Sequence, residues 1–89
     1  MKQRYKIEFH KRYLKDLEKI PQVFRKNIRE KVSELASDPR PDGCKKLQGS
    51  KESPFYRIRC GDYRVVYAIN DDILLILVIE IGHRKEIYR

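Results

Sequence analysis

Three arginines, Arg57, Arg59 and Arg64, stand within eight residues of one another in a β-rich stretch of the chain. A guanidinium group presents a planar fork of N–H donors that matches the oxygens of a phosphate, and it keeps its charge near neutral pH. Solvated or salt-bridged arginines are the ordinary alternative in a basic protein. Their concentration in one stretch makes phosphate binding the chemistry that these residues suggest.

A second group of reactive side chains lies in the C-terminal segment GHRKEIYR. His83 can carry a proton near neutral pH, and a phenol such as that of Tyr88 can donate a proton or orient a phosphate. Arg84 and Tyr88 stand four residues apart, so they share a face if this segment forms a helical turn. Each residue alone has an ordinary explanation, and only their convergence with the arginines indicates chemistry.

A predicted β-hairpin positions the arginines. Two β-rich runs, 55–60 and 63–69, are separated by Gly61 and Asp62, and glycine at the first of two loop positions favours a type II′ turn. This register pairs Arg59 with Arg64, an unfavourable pairing of like charges unless an anion or an acidic group intervenes. The opposite face is mostly apolar and suited to packing on helices. It carries Tyr56, Ile58, Cys60, Tyr63, Val65, Tyr67 and Ile69.

The next turn decides on which face His83 lies. Residues 70–72 predict a turn, and the run 73–81 is almost continuously apolar, as in a central strand that is buried on both faces. A two-residue loop at 71–72 would pair Arg64 with residue 79, whereas a three-residue loop would reverse the faces. With the two-residue loop, the arginine face also carries Ile79 and Ile81, and it carries His83 if the strand continues that far.

A strand and two helices are predicted before the hairpin. Apolar and charged residues alternate over 5–9, which indicates a strand. Leu14, Leu17 and Ile20 recur at helical spacing until Pro21, which ends one helix and suits the start of the next. The second helix is predicted from Gln22 to Ser37. Its apolar positions are Phe24, Ile28, Val32, Leu35 and Ala36.

The segment between the second helix and the hairpin is predicted to be a loop. DPRPDG contains two prolines and a glycine, and the basic stretch from Lys45 and Lys46 to Lys51 is expected to continue the loop. No internal repeat or linker interrupts the chain. The order of one strand, two helices, three strands and a short tail predicts a single α+β domain over residues 1–89.

Composition limits the class of protein. Lys and Arg number 21 against 13 Asp and Glu, and the resulting charge of +8 favours a nucleic acid, an anionic membrane surface or an acidic protein as partner. Cys44 and Cys60 have no C-x-x-C spacing, so neither a zinc site nor a disulfide framework is predicted. The first ten residues lack the apolar stretch of a secretory signal, and the run 73–79 is too short to span a bilayer. We expect a cytoplasmic protein.

Taken together, these segments resemble the RelE-type toxins of the RelE/ParE superfamily. FYRIRCGDYRVVY, the apolar strand and IGHRKEIYR carry the likeness, which extends over KDLEKIP, the second helix and DPRPDGCKKLQG. It covers nearly the whole chain, and its specificity rests on the order of the segments. The resemblance implies an N-terminal strand and two helices packed on a mostly antiparallel sheet. It also implies a RelB-type antitoxin as partner and cleavage of mRNA in the ribosomal A site, without a metal or other cofactor.

The resemblance also suggests roles for single residues. Arg57, Arg59 and Arg64 match basic active-site positions, and Arg84 and Tyr88 match tail residues that contribute to cleavage. We expect an RNA 2′-hydroxyl to attack the adjacent phosphate while Arg64 and Arg84 stabilise the added negative charge. Tyr88 would help to protonate the leaving oxygen or hold the phosphate. Arg57 and Arg59 would bind the RNA backbone or act in acid catalysis, and Lys45 and Lys46 are also expected to bind the backbone.

The general base is a separate question. Arg57 and Arg59 stand where the best-known relatives have lysines, and arginine is a poor base. His83 is the leading candidate instead, with a carboxylate such as Glu52 or Glu86 as the alternative.

Two other functions fit part of the pattern. A ParE-like inhibitor of DNA gyrase shares the fold without a ribonuclease site, and the tail of His83, Arg84 and Tyr88 argues against it. An inert module that docks an acidic partner on its basic face is the other. Cleavage of RNA, inhibition of gyrase and binding alone would distinguish the three.

Overall fold

Two helices and five strands form the described part of the protein, which in this computed structural model comprises residues 4–47 and 54–83. In chain order they are β1 (Lys6–Phe9), α1 (Lys11–Glu18), α2 (Gln22–Glu34), β2 (Lys45–Leu47), β3 (Phe55–Cys60), β4 (Tyr63–Asn70) and β5 (Leu75–His83). The strands lie in the order β1-β5-β4-β3-β2, and β1 alone is parallel to its neighbour. The predicted α+β class with a mostly antiparallel sheet is confirmed.

Local hydrogen bonds set the limits of α1. His10 precedes the helix with an extended backbone, and its Nδ1 accepts a hydrogen bond from the amide of Arg12 at 3.1 Å. At the other end Arg25 donates to the carbonyls of Glu18 and Ile20, both at 2.7 Å, which satisfies acceptors that a helix C-terminus leaves open. At 8 and 13 residues, the helices of the described ranges are too short to cross a membrane.

The hydrophobic core lies between the helices and one face of the sheet. Both helices contribute side chains at the predicted helical spacing, and the apolar face of the hairpin lies opposite them, as predicted. Leu14 and Phe24, also predicted as apolar helix positions, remain about half exposed at 49% and 48%. The most deeply buried side chains are Tyr13, Ile28, Leu35, Val65, Tyr67, Ile76 and Val78.

The prediction of a loop at Lys45 and Lys46 is wrong, because residues 45–47 form the edge strand β2. Lys45 pairs with Arg57, Lys46 with Tyr56 and Leu47 with Phe55. The segment has no alternating pattern of its own, and its extended backbone is stabilised by hydrogen bonds to β3. Charged side chains on a short edge strand also discourage pairing with other chains.

The turn between β4 and β5 also differs from the prediction. Asn70 pairs with Leu75, so four residues form the loop rather than two. The side chain of Asn70 accepts a hydrogen bond from the amide of Asp72 at 3.0 Å, and Leu74 adopts a left-handed backbone with φ of 52°. Ile73 is 64% exposed in this loop, and β4 rather than β5 occupies the centre of the sheet.

A polar cluster ties three distant segments together beside this loop. Asp71 accepts hydrogen bonds from Tyr5 Oη at 2.7 Å and from Arg40 Nη2 at 2.8 Å. Arg40 also donates from Nε to Tyr56 Oη at 3.3 Å, and its guanidinium lies 5.3 Å from the centre of that ring. The cluster therefore links the residue before β1, the loop after α2, strand β3 and the β4–β5 turn.

Asp71 should make stability depend on pH. Hydrogen bonds from Arg40 and Tyr5 hold the pKa of its carboxyl below its usual range. A group whose pKa is lower in the folded state stabilises the fold above its unfolded pKa, and this stabilisation is lost as the pH falls through the folded pKa. We expect Asp71→Asn to lower stability by at most about 1 kcal/mol at pH 7, because the pair is exposed.

Urea unfolding at pH 7 and at pH 2 checks this expectation. The difference between parent and variant should be smaller at the lower pH, because protonation of Asp71 removes the charge that asparagine lacks. Asp62→Asn, which removes the same charge from the exposed hairpin loop, is the matched control. An equal loss of stability in both variants would assign the effect to net charge rather than to the cluster.

The two cysteines should differ in reactivity. Cys60 is 3% exposed, and burial raises the pKa of its thiol to about 11, whereas Cys44 is partly exposed. Because the thiolate is the reactive form, iodoacetamide at pH 8 should modify Cys44 first and leave Cys60 intact in the native protein. Mass spectrometry of the digested protein measures this, and both thiols should react equally in urea.

Candidate nucleic-acid interface

The β3–β4 hairpin has the predicted register. Cys60 pairs with Tyr63, Arg59 with Arg64, and Arg57 with Val66. Gly61 has a φ of +63°, whereas the φ of Asp62 is not positive. A positive φ at only the first loop residue fits a type II′ turn. The turn therefore fixes which side chains point away from the helices.

The arginine face consists of Arg57, Arg59 and Arg64, on the side of the sheet opposite the helices. Arg57 and Arg64 are only 8% and 7% exposed, although they carry a permanent positive charge, and Arg59 is exposed. Burial of a cation is costly unless negative charge or hydrogen-bond acceptors compensate it. The exposed Arg59, beside two largely buried guanidinium groups, gives this face a positive potential that suits an anion with several oxygens.

The edge strand separates the two predicted lysines. Lys45 pairs with Arg57 and extends the arginine face by a fourth positive charge, while Lys46 pairs with Tyr56 on the side of the helices. Both lysines are exposed. The signal that sequence reasoning lacked was the strand itself, since a side chain is assigned to a face only after its strand and register are known.

A β-bulge moves His83 away from the arginine face. Tyr67 pairs with Val78 but Val66 pairs with Glu80, so Ile79 is an extra residue in β5. Beyond the bulge every side chain changes face, and Arg64 lies opposite Gly82, which carries no side chain. The predicted pairing of Arg64 with Ile79 is therefore wrong, as is the expectation that Ile81 and His83 share its face.

His83 lies instead on the side of the helices. It pairs with Tyr63, and the two rings meet edge to face with their centroids 5.8 Å apart. Ile81 is 3% exposed and belongs to the core. The structure thus brings Arg57, Arg59, Arg64 and Lys45 together, and it separates His83 and Lys46 from them.

The remaining predicted site residues lie outside the described ranges. They are Arg84 and Tyr88, together with the alternative bases Glu52 and Glu86. Within residues 4–47 and 54–83, no group of three or more His, Cys, Asp or Glu side chains could hold a metal ion. A cleft of about 570 Å³ beside the C-terminal end of α2 includes Arg59, and its other charged residues have both signs: Lys31, Glu34, Asp38 and Asp42.

Comparison with known proteins identifies the family. A family model described as the ParE toxin of a type II toxin–antitoxin system, parDE, matches residues 7–88. Toxin RelE3 of Methanocaldococcus jannaschii is 34% identical over 88 residues, which cover 93% of this chain and 94% of the relative. The mRNA interferase toxin RelE of Escherichia coli is 30% identical over 86 residues, covering 94% and 90% of the two chains.

A solved structure shares the fold as well. The archaeal RelE–RelB complex from Pyrococcus horikoshii contains a chain that superposes with a TM-score of 0.80 at 30% identity, and the match covers 94% of this chain and 97% of the other. The sequence likeness and the superposition both extend over nearly the whole of each chain. The protein therefore belongs to the RelE/ParE family and is a RelE-type toxin of a toxin–antitoxin system.

Proposed function

We propose that this toxin is a ribosome-dependent mRNA interferase that cleaves mRNA in the A site. The arginine face is the observation that carries the proposal. Arg57 and Arg64 lie on β3 and β4 and are little exposed. The opposite face of these two strands packs in the hydrophobic core. A relative with 30% identity bears the name mRNA interferase toxin, which supports the same reaction.

The proposed reaction is metal-independent transesterification. The 2′-oxygen of a ribose forms a bond to the adjacent phosphorus, and the bond from phosphorus to the 5′-oxygen of the next nucleotide breaks. The products are a 2′,3′-cyclic phosphate and a free 5′-hydroxyl. Arg64 and Arg84 would stabilise the extra negative charge of the transition state, and Arg57, Arg59 and Lys45 would hold the RNA backbone.

The reaction also needs a base for the 2′-hydroxyl and an acid for the leaving oxygen. His83 lies on the opposite face of the sheet, so we transfer the role of general base from His83 to a carboxylate, Glu52 or Glu86. Tyr88 would supply the proton that the leaving 5′-oxygen takes up.

An antitoxin of the RelB type is the proposed protein partner. A solved relative is a RelE–RelB complex, and the charge of +8 offers an electrostatic target for acidic segments. An antitoxin that covers the arginine face would exclude mRNA from it. Because the proposed reaction takes place on the ribosome, we place the toxin in the cytoplasm.

Primer extension on an mRNA in a translating extract tests the proposal. The purified toxin should cut at in-frame positions, and cleavage should disappear when ribosomes are omitted. Cleavage of free RNA at the same rate would contradict dependence on the ribosome. Absence of any cleavage, combined with inhibition of supercoiling by purified gyrase, would instead indicate a ParE-like activity, and binding without either would indicate an inert module.

A further inference from the structure

A cleft of about 370 Å³ opens on the helix side of the sheet, where Tyr63 pairs with His83. This volume falls within the range of about 300–1,000 Å³ that is typical of small-molecule sites. The proposed cleavage reaction uses none of the side chains that line it. The lining residues are Asp16, Lys19, Ile20, Tyr63, Ile81, Gly82 and His83.

Two aromatic rings form adjoining walls of the cleft. Tyr63 and His83 are partly exposed, and the planes of their rings meet at 83°. A flat ligand that stacks on one ring therefore points its edge toward the other. Phe24 supports Tyr63, with its ring centroid 5.8 Å away. Unpaired nucleobases characteristically stack on such rings in RNA-binding proteins.

Besides the Tyr63 hydroxyl and the His83 imidazole, the cleft contains a carboxylate and an ammonium group. Asp16 is partly buried, and its Oδ2 accepts a hydrogen bond from the amide of Ile81 at 3.4 Å, which orients the carboxylate on the cleft wall. An ionised carboxylate accepts several hydrogen bonds, so this contact leaves acceptor capacity. Lys19, exposed at the C-cap of α1, adds a donor.

This combination selects among the four bases of RNA. Guanine alone presents two adjacent donors, N1–H and the 2-amino group, which match the two oxygens of a carboxylate, and its O6 accepts from an ammonium group. Adenine and cytosine present a ring acceptor next to their amino group, and uracil presents one N–H between two carbonyls. A carboxylate would face an acceptor in each of these three bases.

We propose that the cleft binds a guanine base of the RNA substrate. Gly82 and Arg64 pair one position before His83 and Tyr63 in the ladder, so the cleft and the arginine face lie back to back at the same end of the sheet. An RNA strand that bends around this end of the sheet can place one phosphate at Arg64 and a neighbouring base at Tyr63. The identification of RNA as the natural ligand rests on the proposed function.

Titration of the ¹⁵N-labelled protein with nucleotides tests the cleft without the ribosome. The probes are the 5′-monophosphates of guanosine, adenosine, cytidine and uridine, with inorganic phosphate as a separate probe. Guanosine monophosphate should shift the amide signals of Asp16, Tyr63 and His83 and bind about tenfold more tightly than the other three nucleotides. Shifts that phosphate alone reproduces, or equal affinity for all four nucleotides, would overturn the proposal.

A matched pair of variants tests the role of the carboxylate. Asp16→Asn keeps an acceptor for the amide of Ile81 but replaces one oxygen by a donor, and it should weaken binding of guanosine monophosphate about tenfold or more. Asp38→Asn removes the same charge from the other cleft and should change nothing. Dispersed amide spectra of both variants verify folding. Equal affinity of parent and Asp16→Asn would contradict the assignment.

The nucleotide titration and the cleavage assay can fail independently of each other. Binding of guanosine monophosphate with no cleavage of mRNA would refute the ribonuclease function and leave the base site standing. Cleavage without preferential binding of guanosine monophosphate would refute the base site alone.

Discussion

Arg64→Gln should cleave ribosome-bound mRNA about 10²–10³-fold more slowly than the parent toxin, the loss expected when one positioned donor to a developing negative charge is removed. The glutamine side chain keeps part of the volume and polarity but carries no charge. Because Arg64 is only 7% exposed, its charge acts in a site with little competing water. Single-turnover primer extension measures the cleavage step itself.

The matched control is Arg29→Gln. Arg29 lies exposed on α2, on the opposite side of the molecule from the arginine face, and its replacement removes the same net charge. This variant should cleave within about threefold of the parent, because it changes only long-range attraction to RNA, which salt screens. Equal losses in both variants would indicate that total charge rather than the position of Arg64 determines the rate.

A third variant separates charge from geometry. Arg64→Lys keeps the charge but replaces the planar fork of donors by a single ammonium group, so it should recover only part of the lost rate. Urea unfolding of all three variants is needed alongside, since Arg64 is also part of a central strand. Full activity of a folded Arg64→Gln protein would remove Arg64 from the proposed mechanism.

The hairpin shows how much of the site a sequence can predict. Gly61 and Asp62 leave room for only two loop residues, and a two-residue loop fixes every pairing of the adjoining strands. Alternation then sorts the side chains, so the arginine face and the apolar face followed directly. Local chemistry was sufficient here because the turn and the pattern agree.

The position of His83 could not be predicted in the same way. The segment LILVIEIGH is apolar almost throughout, so it contains no alternation that would mark Ile79 as the extra residue of a bulge. One inserted residue reverses the faces of all that follow. The buried position of Ile81 in the core, which depends on contacts with distant elements, decides the register beyond the bulge.

Strand β2 was missed for a related reason. Its three residues are two lysines and a leucine, and their extended conformation depends on the free edge of β3. No local preference distinguishes such a segment from a loop. The burial of Arg57 and Arg64 is likewise a property of the assembled sheet, since a charged side chain is expected to be exposed until its surroundings are known.

Tyr67 provides a second position where substitution should have a large effect. Its side chain is fully buried in the central strand, its ring stacks on Tyr56 at 5.9 Å, and its hydroxyl donates to the carbonyl of Pro39 at 2.7 Å. Burial raises the pKa of this phenol above its ordinary value, so it remains a donor at every pH near neutrality. Tyr67 thus joins the core to the loop after α2.

Two substitutions divide these contributions. Tyr67→Phe removes the hydroxyl and leaves the Pro39 carbonyl without this donor, which should cost about 1–3 kcal/mol of unfolding free energy. Tyr67→Ala also removes the ring from the core and should cost about 3–5 kcal/mol. A domain of this size has a total stability of about 4–13 kcal/mol, so the alanine variant should lose at least about a quarter of it.

Urea unfolding followed by circular dichroism at 25 °C provides the measurement, and Val23→Ala is the control. Val23 is 77% exposed on α2, so removal of its methyl groups should change stability by less than about 0.5 kcal/mol, although an apolar side chain is also truncated. A cost for Tyr67→Phe as small as that of Val23→Ala would mean that solvent replaces the hydrogen bond to Pro39. The loop after α2 would then be held by the Arg40–Asp71 pair rather than by the core.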